Sequence, residues 1–142
     1  MKLALATFGA VALGLAAVAA LPQPAFAQAD VLTAKKLVCL PDKITRCKSA
    51  NTDCETKEAT ARDKTQPLTF DLEGKKGLMR RNNNDAPVGD ITEDKVEGDV
   101  RILVLAGPGN QTPITFRVQK DGKTEGTRAD GQLKMEISCT AG

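Results

Sequence analysis

Four cysteines behind an apolar leader constrain this chain more than any other feature, because together they predict a small domain stapled by disulfides. Cys39, Cys47, Cys54 and Cys139 all follow residues 1–27. That first stretch carries Lys2, an apolar run from Leu3 to Leu21, Pro22 and Pro24, and the small-x-small triplet Ala25-Phe26-Ala27. This is the layout of a signal peptide cleaved after Ala27. An uncleaved anchor needs about 18 firmly apolar residues, whereas this run is rich in alanine and interrupted by Gly9 and Gly14. The expected location is therefore periplasmic or secreted, where disulfides persist. No membrane span is expected after cleavage.

An even cysteine count in such a compartment predicts two bridges, with three pairings open. Cys47 and Cys54 enclose a polar, turn-rich segment, Lys48 to Asp53, that can fold back on itself. Pairing them leaves Cys39 for Cys139, which is the expected arrangement. A zinc site is not expected, since such sites want cysteines at C-x₂₋₄-C spacing, often with histidine. This chain offers neither.

Removal of residues 1–27 from the 142 leaves 115, enough for one domain and one modest core. Setting Lys2 aside, nineteen Lys and Arg face eighteen Asp and Glu, a formal charge of +1. Near-neutrality argues against electrostatic capture of nucleic acid. The basic doublets Lys35-Lys36, Lys75-Lys76 and Arg80-Arg81 are dispersed among acids and read as solvated edges and turns.

Residues 28–33 read as a mobile lead-in, and residues 34–142 as a single β domain. Alternation of period two marks half-buried strands. A strand at about 34–40 is expected to end at Pro41-Asp42, with a second short one over Ile44–Cys47. Ser49 to Gln66 is polar and reads mainly as a tethered loop, with room for a short exposed helix over Cys54–Arg62. Leu68, Phe70 and Leu72 then alternate with polar residues, as do Ile114, Phe116 and Val118, and finally Leu133, Met135, Ile137 and Cys139. Gly77–Arg81 is the return strand of a hairpin, Asn82–Asp85 a loop tip, and Val88–Thr92 a weaker strand. Val100–Leu105 is apolar on both faces towards its end, as in a central strand. Gly107–Pro113 is a long hairpin loop, and Asp121-Gly122 and Asp130-Gly131 signal tight turns.

Short strands with turn signals every 8–12 residues or so predict an all-β fold, a small antiparallel barrel or sandwich of about six to eight strands. Cys39 on the core face of the first strand and Cys139 on that of the last favour the barrel.

Catalysis is constrained by what is missing. The chain has no His, Tyr or Trp, and beyond the leader its serines are Ser49 and Ser138. Neither a Ser-His-Asp nor a Cys-His arrangement can be assembled. No catalytic residue, cofactor or metal is expected. An EF-hand frame starting at Asp121 puts Lys123 at the third position and Gln132 at the twelfth, so two oxygen ligands fail. Asn82–Asp85 with Asp90 reads as a solvated hairpin tip rather than a cation site. Gly107-Pro108-Gly109 lacks the Lys-Ser/Thr of a phosphate loop. Phe70 and Phe116 occupy core-facing positions, which leaves no exposed ring for stacking ligands.

The first-strand Cys39, the small domain and the closing Cys139-Thr140 resemble a broad group of small periplasmic β-proteins of Gram-negative bacteria. In vaguer outline they resemble C-type lysozyme inhibitors, small disulfide-clipped barrels exported the same way. That family typically carries an aromatic residue two places before its first cysteine, where this chain has Leu37, and no inhibitory-loop motif transfers. The resemblance covers Leu37–Thr140 in outline, carries no site over, and implies an exported β-barrel.

Three functions follow, the least favoured being a carboxylate-based hydrolase. The preferred one is a non-enzymatic periplasmic β-domain that binds an envelope protein partner or supports an envelope assembly. Its contact surface would be the polar loops Asn82–Asp90 and Gly107–Pro113, with Asn82, Asn83, Asn84, Asp85, Asn110 and Gln111 as candidate contacts. The alternative is a lipocalin-like carrier holding a small apolar ligand in a barrel interior.

Overall fold

β1 (Lys36–Ser49) is fourteen residues long and does not stop at Pro41, as its sequence predicts. Proline is tolerated because β1 changes partner there. Lys36 to Cys39 pair with β3 (Leu68–Asp71), and Lys43 to Ser49 pair with β2 (Thr52–Glu58). Pro41 lies between the two ladders, where an amide has no neighbouring strand on that side to bond. The structure, a computed structural model, describes residues 30–142; the signal peptide and its cleavage point lie outside the described residues.

The remaining strands are β4 (Lys76–Arg81), β5 (Asn84–Glu97), β6 (Val100–Ala106), β7 (Ile114–Gln119), β8 (Lys123–Arg128) and β9 (Leu133–Ala141). All nine belong to one antiparallel sheet in the order β2-β1-β3-β4-β5-β6-β7-β8-β9. β9 also pairs with β1, from Leu37↔Ala141 to Arg46↔Leu133. The sheet therefore curls into a partial ring. β3 has only four residues; beyond Leu68 its place beside β1 is taken by β2, and no ladder joins β2 to β4. Residues 59–67 pass there instead, with one 3₁₀ turn at Asp63–Thr65.

β2 corrects the expected tethered loop, and no helix forms over Cys54–Arg62. Every residue of β2 is exposed, so it has no buried face and no apolar alternation to betray it. Its charges, Asp53, Glu55, Lys57 and Glu58, discourage pairing of this edge with another chain. The two-residue turn Asn82-Asn83 has positive φ at both positions (50° and 63°), the geometry that joins β4 to β5 without splaying them.

Three β-bulges set which side chains face inward. A one-residue slip moves every following side chain to the other face. In β1 the register jumps between Pro41↔Ile137 and Lys43↔Glu136, leaving Asp42 as the extra residue. The inward series Leu37, Cys39, Pro41 therefore continues with Ile44, not Lys43. In β5 the partners of Gly77 and Leu78 are Gly89 and Pro87, which makes Val88 extra. Further along, Thr92 is extra between Ile91↔Leu105 and Glu93↔Val104. That shift brings Asp94 opposite Leu103, on the core face.

The core is built around Phe70 and Phe116, whose rings meet edge to face at 5.0 Å and 65°. Leu37, Cys39, Leu103 and Val118 surround them, fully buried. Gly126 of β8 lies directly against Phe116: a Cβ there would come within 2.6 Å of the ring. Cys39–Cys139 and Cys47–Cys54 are the two disulfides, as expected. The first joins β1 to β9 within the core, and the second staples the β1–β2 hairpin.

The lead-in read as mobile is, from Asp30 onward, part of the core. Val31 and Leu32 are buried, and Thr33 and Ala34 donate their amides to the Asp30 carbonyl. What holds this turn is Arg101 of β6, an arginine 7% exposed. Its Nη1 donates to the carbonyls of Val31 (3.1 Å) and Ala34 (2.7 Å). Its Nε and Nη2 grip both carboxylate oxygens of Asp94 at 2.7 Å. A buried guanidinium is tolerable only when its donors are satisfied this fully.

Two measurements check this account. Replacing Cys39 and Cys139 with alanine should cost about 4–5 kcal/mol in urea unfolding, and replacing Cys47 and Cys54 about 2–3 kcal/mol. The separations bridged are 100 and 7 residues, so equal costs would refute loop length as the cause. Arg101→Met should cost about 3 kcal/mol, by leaving buried carbonyls and Asp94 unpaired. Amide exchange at Thr33 and Ala34 should rise with it; unchanged protection would mean the turn is held by apolar packing alone.

Candidate binding cup

The two ends of the ring differ. At the base, the Asp30–Ala34 turn packs over the core and is clamped by Arg101. At the other end an apolar cavity of about 340 Å³ opens outward. β1 lines it in order of depth: Cys39 at the floor, then Pro41 and Ile44, with Arg46 at the rim. β9 runs the other way, from Leu133 at the rim through Met135 to Ile137. Phe116 completes the floor, and Met79, Val88, Leu105 and Ile114 form the remaining wall. Two of the bulges matter here. Asp42 turns Ile44 inward, and the extra residue in β5 is Val88 itself.

A wider, more polar vestibule of about 700 Å³ shares Met79, Val88, Leu105, Ile114 and Leu133 with the cup and continues to the surface. Arg46, Arg81, Arg128, Asp130 and the β6–β7 loop surround it. Asn110 and Gln111, two of the candidate contact residues, line it directly. Asn82, Asn83, Asn84 and Asp85 belong to the β4–β5 turn and its flank, beside Arg81, and so stand at the same end. The structure thus gathers both candidate loops at one rim. Asn84 and Asp85 are the first residues of β5 rather than a loop tip.

The rim charges fall into two groups. Arg128 and Asp130 form an ion pair at 2.9 Å. The Arg128 hydrogen bond, aided by the Gln132 amide, holds the Asp130 carboxyl below its ordinary value. Asp63 borders the cup beside Gln66. Its carboxyl is lowered first by the Thr60 amide (2.8 Å) and then by the Thr60 hydroxyl (2.9 Å). Arg46 and Arg81, by contrast, have no carboxylate within ion-pair distance among the described residues.

No nucleophile–base pair lines the cup. The acids near Asn82–Asp85 have cationic partners: Asp85 pairs with Arg80 at 3.2 Å, and Asp90 with Lys76. Among the described residues no group of three or more His, Cys, Asp or Glu side chains converges to hold a metal. Sequence reasoning reached the rim loops and placed Ile114, Phe116, Leu133 and Met135 on inward faces. It missed Arg46, Asp63, Met79 and Val88, for which only the three-dimensional closure of the sheet supplies a signal. Compared with protein-family models, curated proteins and solved structures, the chain gives no match.

Because both aspartates ionise more readily when folded, the stability they contribute is full above the ordinary carboxylate value of 3.8 and drains as pH falls through their lowered values. Carboxyl NMR should find Asp63 ionising below that value. Thr60→Val keeps the amide and removes the hydroxyl, so it should restore Asp63 only part of the way. Complete restoration would mean the hydroxyl, not the amide, is the main cause.

Proposed function

We propose that this protein is a non-enzymatic binder of a small apolar molecule, held in the interior of a small β-barrel open at one end. The observation that carries this reading is the cup itself. Its volume, about 340 Å³, lies within the range of small-ligand sites, roughly 300–1,000 Å³. Its lining is almost wholly aliphatic and sulfur-bearing, with polar groups confined to the rim. Such a site favours an apolar guest through burial and shape.

The proposed setting is the periplasm or the exterior of the cell. Two disulfides are compatible with that setting, and among the described residues no helix is long and apolar enough to cross a membrane. A second reading, recognition of an envelope protein partner, is supported by the gathering of Asn82–Asp85 and Asn110-Gln111 at one rim. The two readings differ in where a blocking substitution acts.

Titration with phenylnaphthylamine, a neutral apolar dye that brightens in dry sites, tests the proposal. The wild-type protein should enhance its emission saturably with one site per chain. Leu133→Trp, at the junction of cup and vestibule, should weaken binding by at least tenfold, about 1.4 kcal/mol, while unfolding stays cooperative. Saturable binding unaffected by this substitution, or no binding at all, would remove the cup as the site.

A further inference from the structure

Resting on the cup as a ligand site, we infer that its guest is an amphiphile: an alkyl chain in the cup and one anionic headgroup, carboxylate or phosphate, held in the vestibule by Arg46 and Arg81. Three arginines and two aspartates border the cup and vestibule, namely Arg46, Arg81 and Arg128 against Asp63 and Asp130. Arg128 and Asp130 satisfy each other. Asp63 is turned to its own Thr60, which supplies two donors to one carboxylate oxygen.

Arg46 lies opposite Glu55 across the β1–β2 ladder, but Glu55 is engaged by Lys57 at 3.5 Å. Arg81 makes only a long contact to the Met79 sulfur, at 4.0 Å. Both guanidinium groups therefore retain free donors at the mouth. Each is also joined by sequence to the cup wall: Arg46 follows Ile44 on the same face, and Arg81 follows Met79 in the same way.

The pairing of a deep apolar cup with two uncommitted guanidinium groups selects against the two other classes of guest. A neutral hydrocarbon would leave the arginines nothing to bind. A cationic amphiphile would place like charge against them. Guanidinium donors form their strongest hydrogen bonds with carboxylate and phosphate oxygens. The vestibule, at about 700 Å³, has room for a headgroup with its water.

Calorimetric titration of the whole folded protein with three monomeric probes of equal chain length tests the inference: dodecanoate, dodecanol and dodecylammonium. Dodecanoate should bind about tenfold more tightly than dodecanol, with dodecylammonium weakest, and the preference should shrink as salt rises. The double variant Arg46→Gln, Arg81→Gln should lose the preference and keep its affinity for dodecanol, which also shows that the variant is folded. Dodecyl phosphate, titrated in parallel, assigns the headgroup; tighter binding than dodecanol by either anion supports the inference.

Equal binding of dodecanoate, dodecyl phosphate and dodecanol by the wild type would overturn the inference and leave the apolar cup standing. A preference that persists in the double variant would also overturn it, since the headgroup would then lie elsewhere. Failure of every probe to bind would overturn the cup itself.

Discussion

The pairing of β1 with β9 is the constraint on which the rest of this structure depends. It joins the first strand to the last, so every inward-facing side chain between them acquires a neighbour across the sheet. Without it, the meander from β3 to β9 would present its apolar face to water along two edges. Cys39 and Cys139 sit opposite each other in that ladder and fix its register covalently. The bridge acts twice. It restricts the unfolded chain by closing a long loop, and in the folded chain Cys39 forms part of the floor beneath the cup.

β1 can play this part because it serves different neighbours along its length. Its first residues pair with β3 and β9, its last with β2 and β9. The change of partner at Pro41 puts β2 beside β1 at the open end with no ladder from β2 to β4, and residues 59–67 cross that gap. The asymmetry of the two ends follows from this. At the base, Val31 and Leu32 are buried against the core and Arg101, gripped by Asp94, locks their turn. The opposite end is walled partly by a loop segment and stays open.

The apolar alternations at Leu68–Leu72, Ile114–Val118 and Leu133–Cys139 announce themselves in the sequence because each has one buried face and one wet face. Together with the even cysteine count and the polar Cys47–Cys54 loop they were enough to reach the fold class and both disulfides, and they put Leu68, Ile114, Phe116, Leu133, Met135 and Ile137 of the cup on inward faces. Other elements were hidden for identifiable reasons. β2 has no buried face, so the hydrophobic effect leaves no period in it. β5 contains two bulges, and each resets the alternation, so a reading of period two recovers only fragments of its fourteen residues. Arg101 occupies an inward position in an otherwise apolar strand, where a charged residue reads as a solvent-facing one. Only the partner brought by the Thr92 bulge shows why it is buried. Val31 and Leu32 precede the first strand, and two apolar residues beside a leader carry no signal of core packing.

The bulges connect stability to the shape of the cup. At the base, the Thr92 bulge places Asp94 on the core face, where it meets Arg101. Nearer the mouth, the Asp42 bulge and the one at Val88 turn aliphatic side chains into the cup. A regular ladder over the same residues would send Lys43 inward in place of Ile44, and Glu93 inward in place of Asp94. The first exchange would set a charge against the apolar cup, and the second would remove the carboxylate that Arg101 grips. The irregularities in the ladder are therefore what allow a chain that is 27% charged to enclose an apolar cavity and still close its base with an arginine.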